Sequence, residues 1–230
     1  MFVANLSVIE VSNRRWRIAQ AAEIRWWKRY LAKQPVDAYA GWKKNYWSSL
    51  LETLQLSPKP NARVLDAGCG PAGIFTALAH CKVDAVDPLL ERYEELDHFD
   101  RSHYPHVTWH AQQLETFQAE QVFDYVFCLN VINHVRDLDA ATQVLAKAAK
   151  PDGTLVISID AHRHTWLKPI FKAIPGDILH PHQLDLADYE ALFHRHGMVV
   201  VNKVLYREEF LFDYWVFTLR MSGQNPVAHG

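Results

Sequence analysis

The residues of this 230-residue chain that are best placed to do chemistry are three glycines and two carboxylates. Gly68-Cys69-Gly70-Pro71-Ala72-Gly73 follows the apolar run Arg63-Val64-Leu65-Asp66. Glycines so placed let the backbone approach a ligand closely, and a helix starting after them offers free N–H groups. The same G-x-G-x-x-G spacing serves dinucleotides, so the carboxylates must discriminate. Asp66 stands two residues before Gly68, where it would repel a pyrophosphate and favour an ammonium or sulfonium charge. Asp87 closes the next apolar run, 21 residues after Asp66, a place from which a carboxylate can hold both hydroxyls of a ribose. Together the two fit a nucleoside that carries an amino-acid cation and no phosphate.

A strand–helix frame must position these groups. Residues 11–56 are helical by pattern: Ile18, Ala22, Trp26 and Tyr30 recur every four residues, as do Trp42, Tyr46 and Leu50, with Pro35 between the two runs. Residues 57–61, rich in Pro, read as a connector. Strands are then expected at 63–66, 82–87, 106–111, 125–129, 154–159, 198–205 and 213–220. Helices are expected from the glycine turn to about residue 80, and at 89–98, 137–150 and 186–196. This alternation predicts an α/β protein with a parallel sheet covered on both faces. The short link before the last strand predicts an antiparallel hairpin there. The division that follows is a helical cap or lid at 1–60 and an α/β domain at 61–230, with an insertion at 161–183 as a second lid.

At this level of detail the chain resembles a known family. Val64-Leu65-Asp66-Ala67-Gly68-Cys69-Gly70-Pro71-Ala72-Gly73 is similar to the first motif of class I S-adenosylmethionine-dependent methyltransferases, and Val86-Asp87-Pro88 to their acidic ribose motif. The segment from Phe123 to Val135, through Asn130 and His134, resembles the fourth-strand motif, and Lys150-Pro151-Asp152-Gly153-Thr154-Leu155 the turn before strand five. The resemblance covers about residues 62–221. It implies a Rossmann-like, seven-stranded, mostly parallel sheet with an antiparallel last strand, and S-adenosylmethionine as cofactor. By position, the turn at Gly68, Cys69 and Gly70, with Asp66, would hold the methionine part. Asp87 would hold the ribose, and Pro88 and Leu89 would flank the adenine. Gln113, before Leu114, stands where the family often has an Asp that meets the adenine amino group; an amide oxygen can still accept that hydrogen bond. Asn130 would lie beside the methionine end. Tyr46 and Trp47, the cap aromatics nearest the α/β domain, are expected to close over the cofactor.

An acceptor that loses a proton needs a base, and His suits neutral pH. His182, held between Pro181 and Gln183 in the insertion, is the leading candidate, with His134 as its competitor. His162-x-His164 and His180-x-His182 also have chelating spacing, but no thiol or dense carboxylate cluster accompanies them, so no metal is expected.

Composition bounds the rest. At 49% hydrophobic and 22% charged, with 9 Gly, 11 Pro and 3 Cys, the chain is neither collagenous, disordered nor a disulfide scaffold. No apolar run approaches the ~18 residues of a membrane span. Cys69, Cys81 and Cys128 are sparse and odd in number, which suits the reducing cytoplasm. The net charge of −2 hides an asymmetry: the first 60 residues hold ten Lys/Arg against four Asp/Glu and five of the eight Trp. That segment reads as an amphipathic cap with buried Trp faces and solvated cations, in preference to a surface for nucleic acid or membrane. The acidic remainder argues against a nucleic-acid substrate. The reading is therefore a methyltransferase acting on a small-molecule acceptor. Its alternatives are a non-catalytic S-adenosylmethionine-binding module and, third, an NAD-dependent oxidoreductase, which Asp66 opposes.

Overall fold

Strand β1 (Arg63–Ala67) sends Val64 to one face of a sheet and Leu65 to the other, and both are fully buried. A strand covered on both sides needs apolar residues at every position, which is why its sequence runs without alternation. The computed structural model describes residues 13–162, 184–208 and 212–223. Around β1 lie β2 (Lys82–Val86), β3 (Val107–His110), β4 (Phe123–Cys128), β5 (Ala149–His162), β6 (Met198–Glu208) and β7 (Phe212–Met221). They form one seven-stranded sheet in the order β3-β2-β1-β4-β5-β7-β6. β1 pairs in parallel with β2 and β4, and β7 runs antiparallel to both β5 and β6. The expected seven-stranded, mostly parallel sheet with an antiparallel last strand is the one observed.

One face carries α1 (Asn13–Leu31) and α2 (Val36–Thr53), whose Ile24, Leu31, Trp47 and Leu50 share a core with Val64, Phe75 and Tyr93. The short helix α3 (Leu90–Tyr93) supplies Tyr93 to the same core. The other face carries α4 (Leu138–Ala148) and α5 (Leu186–Arg195), with Leu145, Tyr189 and Phe193 against Leu65, Val126 and Phe217. Both of these helices are started by aspartate. The Ala140 N–H donates to Asp137 over 3.0 Å, and Asp185 and Asp188 form a reciprocal capping box. Gly197, at φ +71°, ends α5 in the left-handed conformation that other residues adopt only with strain.

Three expectations change. The helix expected at 89–98 is confined to Leu90–Tyr93. No α-helix follows the glycine turn; two 3₁₀ segments, Gly70–Ala72 and Ile74–Ala77, stand there instead. Gly73 is extended between them (φ −74°, ψ −171°) and interrupts the helical run, and the Asp66 carboxylate accepts the Phe75 N–H. The Trp faces of the cap are also not simply buried. Ile18, Trp26 and Trp42 are 49%, 50% and 52% exposed, while Trp47 is buried. The core-facing side of α1 is the one that carries Ile24 and Leu31.

Candidate active site

The strand order reverses between β1 and β4, because the chain passes from β1 to β2 and β3 on one side and returns to β4 on the other. The backbones diverge at such a point and leave a crevice at the carboxyl ends of the strands. The structure has a cavity of about 620 Å³ there, roofed by α1 and α2.

Its floor is the glycine turn. The Gly68 N–H (2.7 Å) and Cys69 N–H (3.2 Å) both donate to the Val86 carbonyl, fastening the turn to the end of β2. Gly68 (φ +73°) and Gly70 (φ +56°) are left-handed, and a Cβ on Gly68 would collide with the Val131 side chain. Any larger residue there would be strained and would also push β4 and its following turn away.

Asp87 is 6% exposed and lines the cavity. The Gly70 N–H donates to its Oδ2 over 3.0 Å and the Leu89 N–H to its Oδ1 over 2.8 Å. Burial raises its pKa to about 6 despite those two donors. Each oxygen keeps a lone pair for a further donor. Asn130, left-handed at φ +60°, follows β4, and its N–H donates to Ser158 Oγ over 2.7 Å. That bond ties the β4 turn to β5. Gln113 and Leu114 come from the segment after β3, where Glu115 Oε1 accepts the Arg136 and Asp137 N–H groups at 2.7 and 3.0 Å. Trp47 reaches down from α2, its indole N–H donating to the Ala72 carbonyl at 2.9 Å.

The cavity brings together Tyr46, Trp47, Gly68, Cys69, Gly70, Asp87, Pro88, Gln113, Leu114, Asn130 and His134 of the residues singled out in the sequence. Two others lie elsewhere. Asp66 is 2% exposed and turned under its own loop, where it accepts the Phe75 N–H at 3.0 Å. It shapes the turn rather than lining the cavity, because the nearest orphan donors are those of the 3₁₀ segment above it. Burial raises its pKa to about 7. Leu89 packs in the core, since the Asp87 carboxylate draws its backbone inward. His182 lies outside the described residues, as do the side chains of the other insertion histidines. Among the described residues no cluster of three or more metal-ligating side chains occurs. No described helix is long and apolar enough to cross a membrane.

Five charged residues outside the sequence-based candidates also line the cavity: Glu23, Lys43, Glu115, Asp160 and Arg207. Burial and the neighbouring Asp87 raise the Glu23 pKa to about 7. A signal for Glu23 was available, because Trp16, Gln20, Glu23 and Trp27 fall at i, i+4, i+7 and i+11, one face of α1. A carboxylate on an aromatic face marks a lined cavity rather than a plain core. Lys43, half-buried in α2, has its pKa lowered to about 8 by burial.

The model of the family described as "Methyltransferase domain" matches residues 39–203, more than half of the chain. The chain belongs to this family. It is similar to the ubiquinone biosynthesis O-methyltransferase of Xanthomonas campestris pv. campestris, with 32% identity over 140 residues, 58% of this chain and 55% of that protein. It therefore spans about half the length of the curated relatives it matches. Among solved structures, the 1,6-didemethyltoxoflavin-N1-methyltransferase of Burkholderia thailandensis superposes with a TM-score of 0.64 at 16% identity, covering 97% of this chain and 99% of that one. A TehB-like SAM-dependent methyltransferase from Corynebacterium glutamicum gives 0.57 at 21% identity, covering 90% and 99%. At such identities the likeness is one of fold, and it is the class I, S-adenosylmethionine-dependent methyltransferase fold.

Proposed function

We propose that this chain transfers the methyl group of S-adenosylmethionine to a small organic acceptor inside the roofed cavity. The observation that carries the reading is the meeting of Asp87, the left-handed glycine turn and Asn130 at the carboxyl ends of the central strands. A ribose diol offers two donors, and Asp87 has one lone pair left on each oxygen to receive them. Pro88 and Leu114 flank the adenine, and the Gln113 amide oxygen accepts from its amino group. The backbone of Gly68 to Gly70 and Asn130 hold the methionine end, while Tyr46 and Trp47 exclude water from it. Asp66 acts at one remove, by fixing the turn.

When bound, S-adenosylmethionine supplies a methyl carbon already activated by its sulfonium. The protein then chiefly has to align the acceptor with that carbon and keep the site dry. A hydroxyl or ammonium acceptor also needs a proton acceptor, and that role falls to His182, with His134 as the second choice. His134 lines the cavity one helical turn's length after Asn130, with its own N–H donating to the Val131 carbonyl.

A cavity of 620 Å³ suits a small molecule beside a cofactor better than a polymer. The toxoflavin relative, with a small organic ligand beside S-adenosylhomocysteine, supports the same reading. The three cysteines are free and buried, in keeping with a cytoplasmic setting. The test is to incubate the protein with isotopically labelled methyl donor and a metabolite pool, then identify labelled products by mass. A labelled small molecule is expected. Label confined to macromolecules overturns the acceptor class, and cofactor binding without any label transfer favours the non-catalytic binding module.

A further inference from the structure

The outer face of α1 mixes apolar and cationic side chains. Ile18, Ala22 and Trp26 stand four residues apart on one side of the helix, and Ile18 and Trp26 are half-exposed. Arg25 and Arg29, seven and eleven residues after Ile18, share that side and are exposed. Trp26 is held in place. It stacks on Tyr30 at 5.0 Å with 4° between the planes, Tyr30 meets Tyr39 at 6.3 Å, and Tyr39 meets Trp42 at 5.9 Å. Trp42 is half-exposed too, so an aromatic ridge crosses both cap helices with an exposed tryptophan at each end. Both tryptophans also line the cavity, which makes the ridge part of its rim.

Charge is sorted between the faces of α1. The helix holds six Arg/Lys and a single acid, Glu23, which is turned into the cavity. Lys28, towards the edge of the outer face, is matched by Glu95 at 2.6 Å. Among the described residues no carboxylate lies within ion-pair distance of Arg25 or Arg29. Beyond residue 60 the chain carries 14 Lys/Arg against 22 Asp/Glu, so the positive face belongs to a molecule that is otherwise acidic. An anionic plane would attract this side and repel the rest, which fixes an orientation.

From this arrangement we propose that the outer face of α1, with the ridge from Trp26 to Trp42, docks the mouth of the cavity on an anionic phospholipid bilayer surface. The inference goes beyond the methyl-transfer reading and does not depend on it. Indole rings, with an apolar body and a polar N–H, suit the headgroup layer, and arginines beside them reach the lipid phosphates. The combination selects the occupant. A nucleic acid would use the cations but not the aliphatic Ile18, and Tyr30 already covers one face of Trp26, where a base would stack. A second copy of the chain would set the same arginines against one another across a two-fold interface. A bilayer surface uses the apolar stripe and the cations together.

Vesicle flotation of the full chain tests the docking. The probes are vesicles of phosphatidylcholine alone and of phosphatidylcholine mixed with phosphatidylglycerol. They are offered to the wild type, Arg25→Glu/Arg29→Glu, Ile18→Ser/Trp26→Ser and the control Lys59→Glu/Lys82→Glu. The control makes the same charge change at the other end of the sheet, before β1 and at the start of β2. All six side chains are exposed, and circular dichroism melts check folding. The wild type should bind the mixed vesicles at least about 10-fold better than phosphatidylcholine and let go as salt rises. The arginine pair should weaken binding at least about 25-fold, about fivefold for each cation lost. The Ile18/Trp26 pair should weaken it at least about 10-fold, and the control less than about twofold. A wild type that binds no vesicles overturns the proposal, whether single-stranded RNA binds instead or sedimentation shows a dimer that Ile18→Ser/Trp26→Ser dissolves. Binding that survives both outer-face variants also overturns it. So does an equal loss in the control, which reduces the effect to net charge, and so does a loss in the arginine pair alone, which leaves the aromatic ridge out of the contact.

Discussion

Asp66 at the end of β1 and Asp87 just past the end of β2 are carboxylates on adjacent strands, 2% and 6% exposed. Desolvation raises the pKa of each, to about 7 and about 6. They differ in what their oxygens meet. Asp66 points under its own loop and accepts the Phe75 N–H, so the 3₁₀ segment uses its charge. Asp87 accepts two N–H groups as well, but it also borders the cavity. Burial and pKa alone therefore do not separate a structural acid from a binding acid; the open space in front of Asp87, which Asp66 lacks, does.

The comparison sharpens first where holding a ligand and moving a proton are distinct tasks. His182→Ala is expected to lower turnover by about 100–10,000-fold with cofactor affinity unchanged, and His134→Ala to lower it less. Single-turnover kinetics beside calorimetry reads both quantities. If both variants keep normal turnover, the acceptor needs no base from this chain.

Asp66→Ala should act on folding. It strips the Phe75 N–H of its buried acceptor and costs about 1–3 kcal/mol in urea unfolding. Cofactor affinity per folded molecule should change far less than in an Asp87 variant. An Asp66→Ala protein of normal stability that no longer binds cofactor would move Asp66 into the binding site.

A pH series tests the same residue more gently. The folded protein holds the Asp66 proton more tightly than the unfolded chain does, with a pKa of about 7 against 3.8. Its contribution to stability is thus complete below about pH 4 and is lost as the pH climbs through about 7. Asp87 and Glu23 are raised too and slope the same way. Asp66→Asn should flatten the wild-type decline over this window, and parallel curves for the two proteins would contradict the assignment. The smallest effect belongs to an exposed carboxylate: Glu95 meets Lys28 at 2.6 Å, but the side chains are 46% and 45% exposed. Lys28→Ala should leave the urea midpoint unchanged, as exposed ion pairs contribute little.

Much of the fold could be read in advance because its signals are local. β1, the glycine turn and β2 are short apolar runs with punctuation, and Asp137 and Asp185 announce α4 and α5. The turn after Gly68 departs from expectation because the run Ile74-Phe75-Thr76-Ala77-Leu78, four apolar residues around a threonine, looks helical, whereas Gly73 and the pull of Asp66 on Phe75 tighten it into 3₁₀ geometry. The facing of α1 was harder still. Ile18, Ala22 and Trp26 form one apolar stripe and Trp16, Glu23 and Trp27 another, and only packing against Tyr93 and the turn selects the second as the inner one. Lys43 is hard to read for the same reason: a lysine in an amphipathic helix looks solvated in sequence, and only the burial of its neighbours at i−4 and i+4, Tyr39 and Trp47, places it inward.

The central claim is that the cavity holds a nucleoside by its ribose through Asp87, and calorimetric titration of S-adenosylhomocysteine into the wild type and Asp87→Ala tests it most directly. The account predicts stoichiometric binding by the wild type, none of NAD, and a loss of about 10–150-fold in the variant, equivalent to a charge-assisted pair of hydrogen bonds worth about 1.5–3 kcal/mol. Unchanged affinity in Asp87→Ala would contradict the ribose assignment, and tight NAD binding by the wild type would contradict the account as a whole.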